Sequence, residues 1–204
     1  IMQTSSPLII AGIAGVSAYL FFLWVSDLRA YSRGEDTKGR LPGAAPCGWR
    51  AIWVAVVGAL VLVGAETGAE YWINRAAHQR DVTGMYLLLM ISAAFTEELI
   101  FRGYIVVTGK GRAWLIGSIL AASVVFALLH PYLWEWEQEL LLRPTPAALV
   151  TTGAVLAKSL WFYTMRFFPL NSARSLLPCI AAHLAANVAV FVIKGLQGHV
   201  VGWV

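Results

Sequence analysis

Three ionisable residues, Glu97, Glu98 and Arg102, lie within the apolar stretch AAFTEELIFRGYIVV at residues 93–107. On insertion scales, placing an Asp, Lys or Arg at the centre of a lipid bilayer costs about 2.5–3.5 kcal/mol, so such groups persist where they face protein, a partner or water. We therefore expect all three to face the protein interior. An ionisable residue in that position is, by default, a functional-site hypothesis.

Helical geometry gives the two glutamates different environments. Glu98 and Arg102 are four residues apart, so they lie on one helix face with the acidic residue first, which is the favourable order for an ion pair. This pair is predicted to be structural. Glu97 is rotated by about 100° from Glu98 and has no partner on its own helix. A carboxylate that faces a polar cavity can take a proton from water, so Glu97 is the candidate general base.

Two later stretches carry histidines. In FALLH, the four-residue spacing places Phe126 and His130 on one face at the end of an apolar run, where a histidine is more typical of the membrane interface than of catalysis. In HLAAN, His183 and Asn187 share one face in the middle of an apolar run, where lipid cannot satisfy their hydrogen-bonding groups. An interhelical hydrogen bond, on average about 0.6 kcal/mol, is the alternative. Two such residues one turn apart nevertheless favour a functional role.

Long apolar runs are the elements that must position these residues. Of the 204 residues, 59% are hydrophobic and 13% are charged, whereas a soluble domain is about 45–50% apolar. A helix needs about 20 apolar residues to cross the hydrocarbon core. The sequence therefore predicts an all-α fold, a polytopic transmembrane helix bundle with about six spans. The predicted spans lie near residues 7–25, 51–73, 85–107, 113–130, 145–168 and 176–193.

The segments between the spans are short. None is long enough to fold alone, so residues 1–204 are predicted to form a single membrane-embedded domain. The stretches that carry the candidate site residues predict a catalytic core at about 85–193. The segment PYLWEWEQELLL, at 131–142, combines tryptophans with glutamates. Tryptophan rings favour headgroup depth, and the segment is therefore predicted to form a short interfacial helix.

Charged residues outside these three stretches are not predicted to take part in catalysis. Glu66 lies near a span end and is interpreted as interfacial. Lys158 lies inside the fifth span, where it either extends its amine to the interface or lies near the cavity. The formal net charge of +4 comes from basic residues clustered in loops, as the positive-inside tendency predicts, so no nucleic-acid partner is expected. Cys47 and Cys179 are not expected to pair.

The three motifs in this order, each within an apolar span, resemble the CPBP family of intramembrane proteases, the CAAX-processing and bacteriocin-processing group also called the Abi family. The resemblance covers roughly residues 85–192. One departure is the polar stretch FFPLNSARSLL before the third motif. The family's pattern is matched at Glu97, Glu98, Arg102, Phe126, His130, His183 and Asn187.

The resemblance implies a role for each of these residues. Glu97 would activate the attacking water with the help of His130, while His183 and Asn187 would hold the oxyanion of the tetrahedral intermediate. The remaining three would support the site without reacting. The supporting residues are Glu98, Arg102 and Phe126. The expected partner is a membrane-anchored protein or peptide substrate within the lipid bilayer of a prokaryotic cell (inner) membrane.

A zinc site is the alternative chemistry. Glu97, His130 and His183 offer two imidazoles and one carboxylate, which matches a common catalytic zinc set. Such sites are often marked by an H-E-x-x-H helix, and the sequence contains none. The family's glutamate-based mechanism needs no metal, so the resemblance implies an enzyme without a cofactor.

Two functions outside the peptidase class remain open at this stage. The first is a non-catalytic membrane scaffold or immunity protein. The second is a small proton-coupled transporter in which Glu97 and His183 relay protons. Transporters of that class often show inverted repeats and interrupted helices, and the sequence shows neither.

Overall fold

Six α-helices account for most of the protein in a computed structural model that describes residues 6–35, 39–73, 81–136 and 138–203. The third helix continues directly into a segment with π-helical geometry. The helices are α1 (Pro7–Ser32), α2 (Trp49–Trp72), α3 (Gly84–Glu97) with the π-helical segment (Glu98–Ile105), α4 (Arg112–Leu129), α5 (Pro146–Phe167) and α6 (Leu177–Leu196). Shorter elements are a 3₁₀ turn (Pro169–Asn171) and two strands, β1 (Trp134–Trp136) and β2 (Leu140–Leu142).

Five of the described helices are long and apolar enough to cross a membrane, counting α3 and its π-helical segment as one. The predicted all-α polytopic bundle is therefore confirmed. The fifth predicted span differs from the others, because α5 is not among these five. It packs against α2, α4 and α6, and eight of its 22 residues are buried. The buried residues include the polar side chains of Thr151, Ser159 and Arg166.

Small residues allow α2 and α6 to approach closely. Ala55 and Ala59 of α2 are fully buried, as is Ala182 of α6, and they belong to one apolar cluster. Small side chains at helix contacts are typical of membrane proteins, because packing rather than hydrophobic burial drives helix association there. The indole nitrogen of Trp161 in α5 also donates to the carbonyl of Ala55 at 2.9 Å. This contact fixes α5 against α2.

A buried ion pair adds a second link between α2 and α5. The Lys158 amine lies 2.7 Å from a carboxylate oxygen of Glu66, and the two side chains are 15% and 11% exposed. Glu66 is therefore largely buried between the two helices and has a cationic partner. The Lys158 amine is likewise directed at this carboxylate. Pairing lowers the cost of both charges at membrane depth.

The predicted short interfacial helix at 131–142 is wrong, because this segment forms an antiparallel hairpin. Trp134 pairs with Leu142 and Trp136 with Leu140. The physical reason is visible in the order Trp-Glu-Trp, where bulky rings alternate with a charge. Alternation with a period of two suits a strand, and aromatic side chains have high strand propensity.

Gly58 should be essential for the contact between α2 and α5, because a Cβ at this position would overlap the Trp161 indole. We expect Gly58→Ala to destabilise the protein by about 1–3 kcal/mol, the usual cost of overpacking. The measurement is thermal unfolding in detergent micelles. Gly64→Ala in the same helix is the matched control, because a Cβ there would contact nothing within 4 Å. Equal stability of both variants would contradict the assignment.

Candidate active site

The helix geometry changes between the two adjacent glutamates. Glu97 is the last residue of α3, and Glu98 is the first residue of the π-helical segment. Segments of π-helix are rare and occur frequently at functional sites. The hydroxyl of Tyr163 in α5 donates to the carbonyl of Phe101 at 2.6 Å. This bond fixes the segment to α5.

Arg102 lies at the centre of the polar network and is completely buried. One guanidinium nitrogen, Nη1, lies 3.2 Å from Oε1 of Glu98. The other, Nη2, donates to the Ser159 hydroxyl at 2.7 Å. Ser159 in turn donates to the hydroxyl of Ser123 at 3.1 Å. The Glu98–Arg102 pair that helical spacing predicted is therefore present, and α5 and α4 extend its network.

Aromatic rings surround the same guanidinium. Its carbon lies 4.6 Å from the ring centroid of Phe126 and 4.9 Å from that of Tyr163. Phe162 lies at 5.4 Å and Phe101 at 5.9 Å. A cation within about 6 Å of an aromatic face is attracted by the ring, most strongly where water is excluded. Phe126 therefore packs against the charge of Arg102.

His183 lies between the two carboxylates. Its Nδ1 is 2.8 Å from Oε1 of Glu98, and its Nε2 is 3.8 Å from Oε2 of Glu97. The ring also stacks on Phe162 with centroids 5.1 Å apart. Because fully buried Glu98 is paired with Arg102 and accepts the bond, we assign the proton to Nδ1. Glu98 thereby orients the ring so that Nε2 faces Glu97.

Exposure separates the two glutamates further. The Glu98 side chain is 0% exposed, whereas that of Glu97 is 30% exposed. The 3.8 Å between Glu97 and His183 is longer than a direct hydrogen bond. Glu97 is therefore partly exposed beside an oriented imidazole, while Glu98 is held inside the protein.

His130 lies at the end of α4 and contacts the Phe126 ring. Its Nδ1 is 2.8 Å from the carbonyl oxygen of Phe126, which can only accept, so Nδ1 carries a proton and Nε2 is the free ring nitrogen in the neutral form. The Phe126 ring lies 4.8 Å from the His130 ring and 6.2 Å from the His183 ring, between centroids. Both imidazoles thus contact the same phenyl ring.

Asn187 lies one turn beyond His183 and links α6 to α3. Its side-chain nitrogen donates to the carbonyl of Met90 at 2.9 Å. An amide nitrogen carries two protons, so one proton is used in this contact and the second remains for another acceptor. The interhelical bond that the sequence left open as an alternative is therefore present.

No preassembled metal site is found in the described part of the chain, where no group of three or more His, Cys, Asp or Glu side chains is close enough to hold a metal ion. Glu97 and His183 approach each other, but His130 does not complete a ligand set with them.

Two residues of this network have no counterpart in the sequence motifs. Ser159 and Ser123 are completely buried and connect Arg102 to α4. Serine is common at close helix contacts in membranes, so nothing in its sequence position distinguishes a network member from a packing residue.

A comparison with protein families gives a match that covers more than half of the chain. The sequence description of the type II CAAX prenyl endopeptidase Rce1-like family matches residues 79–189, a range that includes all seven motif residues. The chain belongs to the Rce1-like family. No curated protein and no solved structure matches the chain significantly. The resemblance to CAAX-processing proteases is thus confirmed, and with five candidate spans it identifies an integral membrane protein.

Arg102 should be the residue on which the stability of this Rce1-like site depends most. Arg102→Met leaves Glu98 buried without its cation, and removing one partner of a buried pair costs about 3–5 kcal/mol. We expect a corresponding loss in thermal unfolding measurements in detergent. In the double variant Glu98→Gln with Arg102→Met no charge is left unpaired, and Gln can still accept from His183, so at least half of the loss should be recovered. A single variant as stable as the wild type would refute this account.

Proposed function

We propose that this Rce1-like protein is an intramembrane endopeptidase that hydrolyses a peptide bond of a membrane-associated protein or peptide. The family supports a protease in general, and the residues and substrate class are our proposal. The supporting observation is that Glu98 orients His183 so that Nε2 lies 3.8 Å from Glu97, the accessible carboxylate. An exposed base beside an oriented imidazole suits a reaction in which water is the nucleophile.

In the first proposed step, Glu97 accepts a proton from water, and the water oxygen attacks the carbonyl carbon of the scissile peptide bond. The free Nε2 of His130 assists by accepting a hydrogen bond from the same water. The carbon–oxygen double bond becomes a single bond, and negative charge develops on the former carbonyl oxygen. Low dielectric surroundings strengthen every charge interaction in this step.

The oxyanion is stabilised by the second proton of the Asn187 amide and by His183. Since Nδ1–H of His183 is donated to Glu98, the ring donates to the oxyanion only when Nε2 is also protonated. One oxyanion donor is worth about 2.7–4 kcal/mol in well-studied hydrolases. In the second step the carbon–nitrogen bond breaks, and the proton held by Glu97 passes to the leaving amine.

Glu97→Gln tests the base directly, because it keeps the shape of the side chain and removes the proton acceptor. We expect cleavage of a farnesylated CAAX peptide in proteoliposomes to fall by about 10²–10⁴-fold, the usual contribution of a general base. Glu35→Gln is the control, because Glu35 lies in the loop after α1 with a half-exposed side chain. This variant should cleave the peptide at the wild-type rate. Undiminished cleavage by Glu97→Gln would exclude Glu97 as the base.

Chelation tests the proposal that protein side chains alone perform the reaction. We expect peptide cleavage to be unchanged after incubation with a strong zinc chelator, because the proposed steps use only Glu97, His130, His183 and Asn187. The measurement is the initial cleavage rate with and without chelator, accompanied by elemental analysis of the purified protein. A loss that added zinc restores would show that the zinc alternative is correct.

A further inference from the structure

The β-hairpin is attached to the end of α4 that carries His130. β1 begins four residues after this histidine, and the His130 ring stacks on Tyr132 with centroids 6.2 Å apart. The indole nitrogen of Trp134 donates to the carbonyl of Leu128 at 2.7 Å. At about 3.3–3.6 Å per residue, β1 begins within about 14 Å of His130.

The register of the hairpin determines which backbone groups face outward. The amide of Arg143 donates to the carbonyl of Leu133 at 2.8 Å, so these residues form a hydrogen-bonded pair. Such pairs alternate along an antiparallel ladder, so Trp134 and Trp136 belong to non-bonded pairs. Their N–H and C=O groups therefore point to the outer edge of β1.

The outer edge of β1 has no neighbouring strand in the part of the chain that the structure describes. The sheet there has two strands, and no backbone hydrogen bond joins Trp134 or Trp136 to a further segment. α4 packs against α5 and the π-helical segment but shows no extensive packing against α3. Helix packing between α4 and α3 therefore does not block a chain that enters beside α4.

Hydrolysis within a membrane imposes a requirement on the substrate. The scissile segment must leave helical geometry so that water can reach its carbonyl carbon. Each backbone group without a hydrogen bond in the hydrocarbon region costs several kcal/mol. An unwound substrate segment therefore needs a partner that offers backbone donors and acceptors in alternation, which is the pattern that a free strand edge presents.

We propose that the outer edge of β1, at Trp134 and Trp136, binds an extended segment of the substrate as a third strand next to the site. The inference rests on the proposed peptidase function and adds a substrate-binding element to it. Two outward residues supply up to four backbone hydrogen bonds. Because these hydrogen bonds are made to the substrate backbone and not to its side chains, they hold substrates of different sequence in one orientation relative to His130.

Proline substitution tests the edge, because it removes an N–H group and is tolerated in strands where that group faces outward. In Trp136→Pro we expect kcat/KM for the farnesylated CAAX peptide to fall about tenfold, mainly through a higher KM. Leu140→Pro is the matched control. Leu140 pairs with Trp136 across the hairpin, but its N–H faces the outer edge of β2, so kcat/KM should be retained.

Trp136→Leu distinguishes the contribution of the backbone N–H group from that of the indole ring. This variant keeps the N–H group and removes the aromatic ring, so the loss should stay below threefold. If Trp136→Leu is as impaired as Trp136→Pro, the tryptophan side chain is the important group and the strand proposal is wrong. Equal losses in Trp136→Pro and Leu140→Pro would also overturn it, because they would indicate general damage to the hairpin.

Hydrogen exchange separates this proposal from the peptidase proposal. In the Glu97→Gln variant in nanodiscs, adding the farnesylated CAAX peptide should slow exchange at the amides of Trp134 and Trp136 at least tenfold, with no change at Leu140 and Leu142. Protection without cleavage by the wild type would support docking and refute the peptidase. Cleavage without protection would refute docking alone, and the absence of both would refute both.

Discussion

The charge of Arg102 is the constraint on which the rest of the site depends. A guanidinium that is completely buried at membrane depth is retained only where other groups replace its hydration. Four helical segments contribute groups that replace the hydration of Arg102. The π-helical segment supplies Glu98, α5 supplies Ser159 and two rings, α4 supplies Phe126, and α6 reaches the pair through His183. The relative positions of the helices that carry the motifs are therefore coupled to one buried cation.

The change from α-helix to π-helix falls between two chemically identical neighbours, Glu97 and Glu98. Glu98 turns inward, where Arg102 and His183 hold it, while Glu97 stays partly exposed on the other side of the same imidazole. One carboxylate thus orients the ring, and the other remains partly exposed. This arrangement uses a different environment, rather than a different residue type, to separate a structural role from a candidate chemical role.

The apolar runs and the Glu98–Arg102 spacing predicted the bundle and its ion pair, because both depend on local periodicity. Other features depend on partners distant in sequence. The pairing of Lys158 with Glu66 and the contact of Ser159 with Arg102 join different helices, and no local pattern encodes them. The π-helical geometry was also not predicted. An α-helix places Glu98 and Arg102 on one face as well, so their spacing does not distinguish the two helix types. The hairpin was missed because its tryptophans were read for membrane depth and not for alternation.

The polar character of α5 has a consequence for how the protein is made. A helix that carries Lys158 and Arg166 and falls outside the group of long apolar spans is a poor substrate for stable insertion as an isolated segment. Lys158 has its counterion in Glu66 of α2, a helix that precedes α5 in the sequence and is synthesised earlier. Stable insertion of α5 therefore depends on α2, the earlier helix that supplies this counterion.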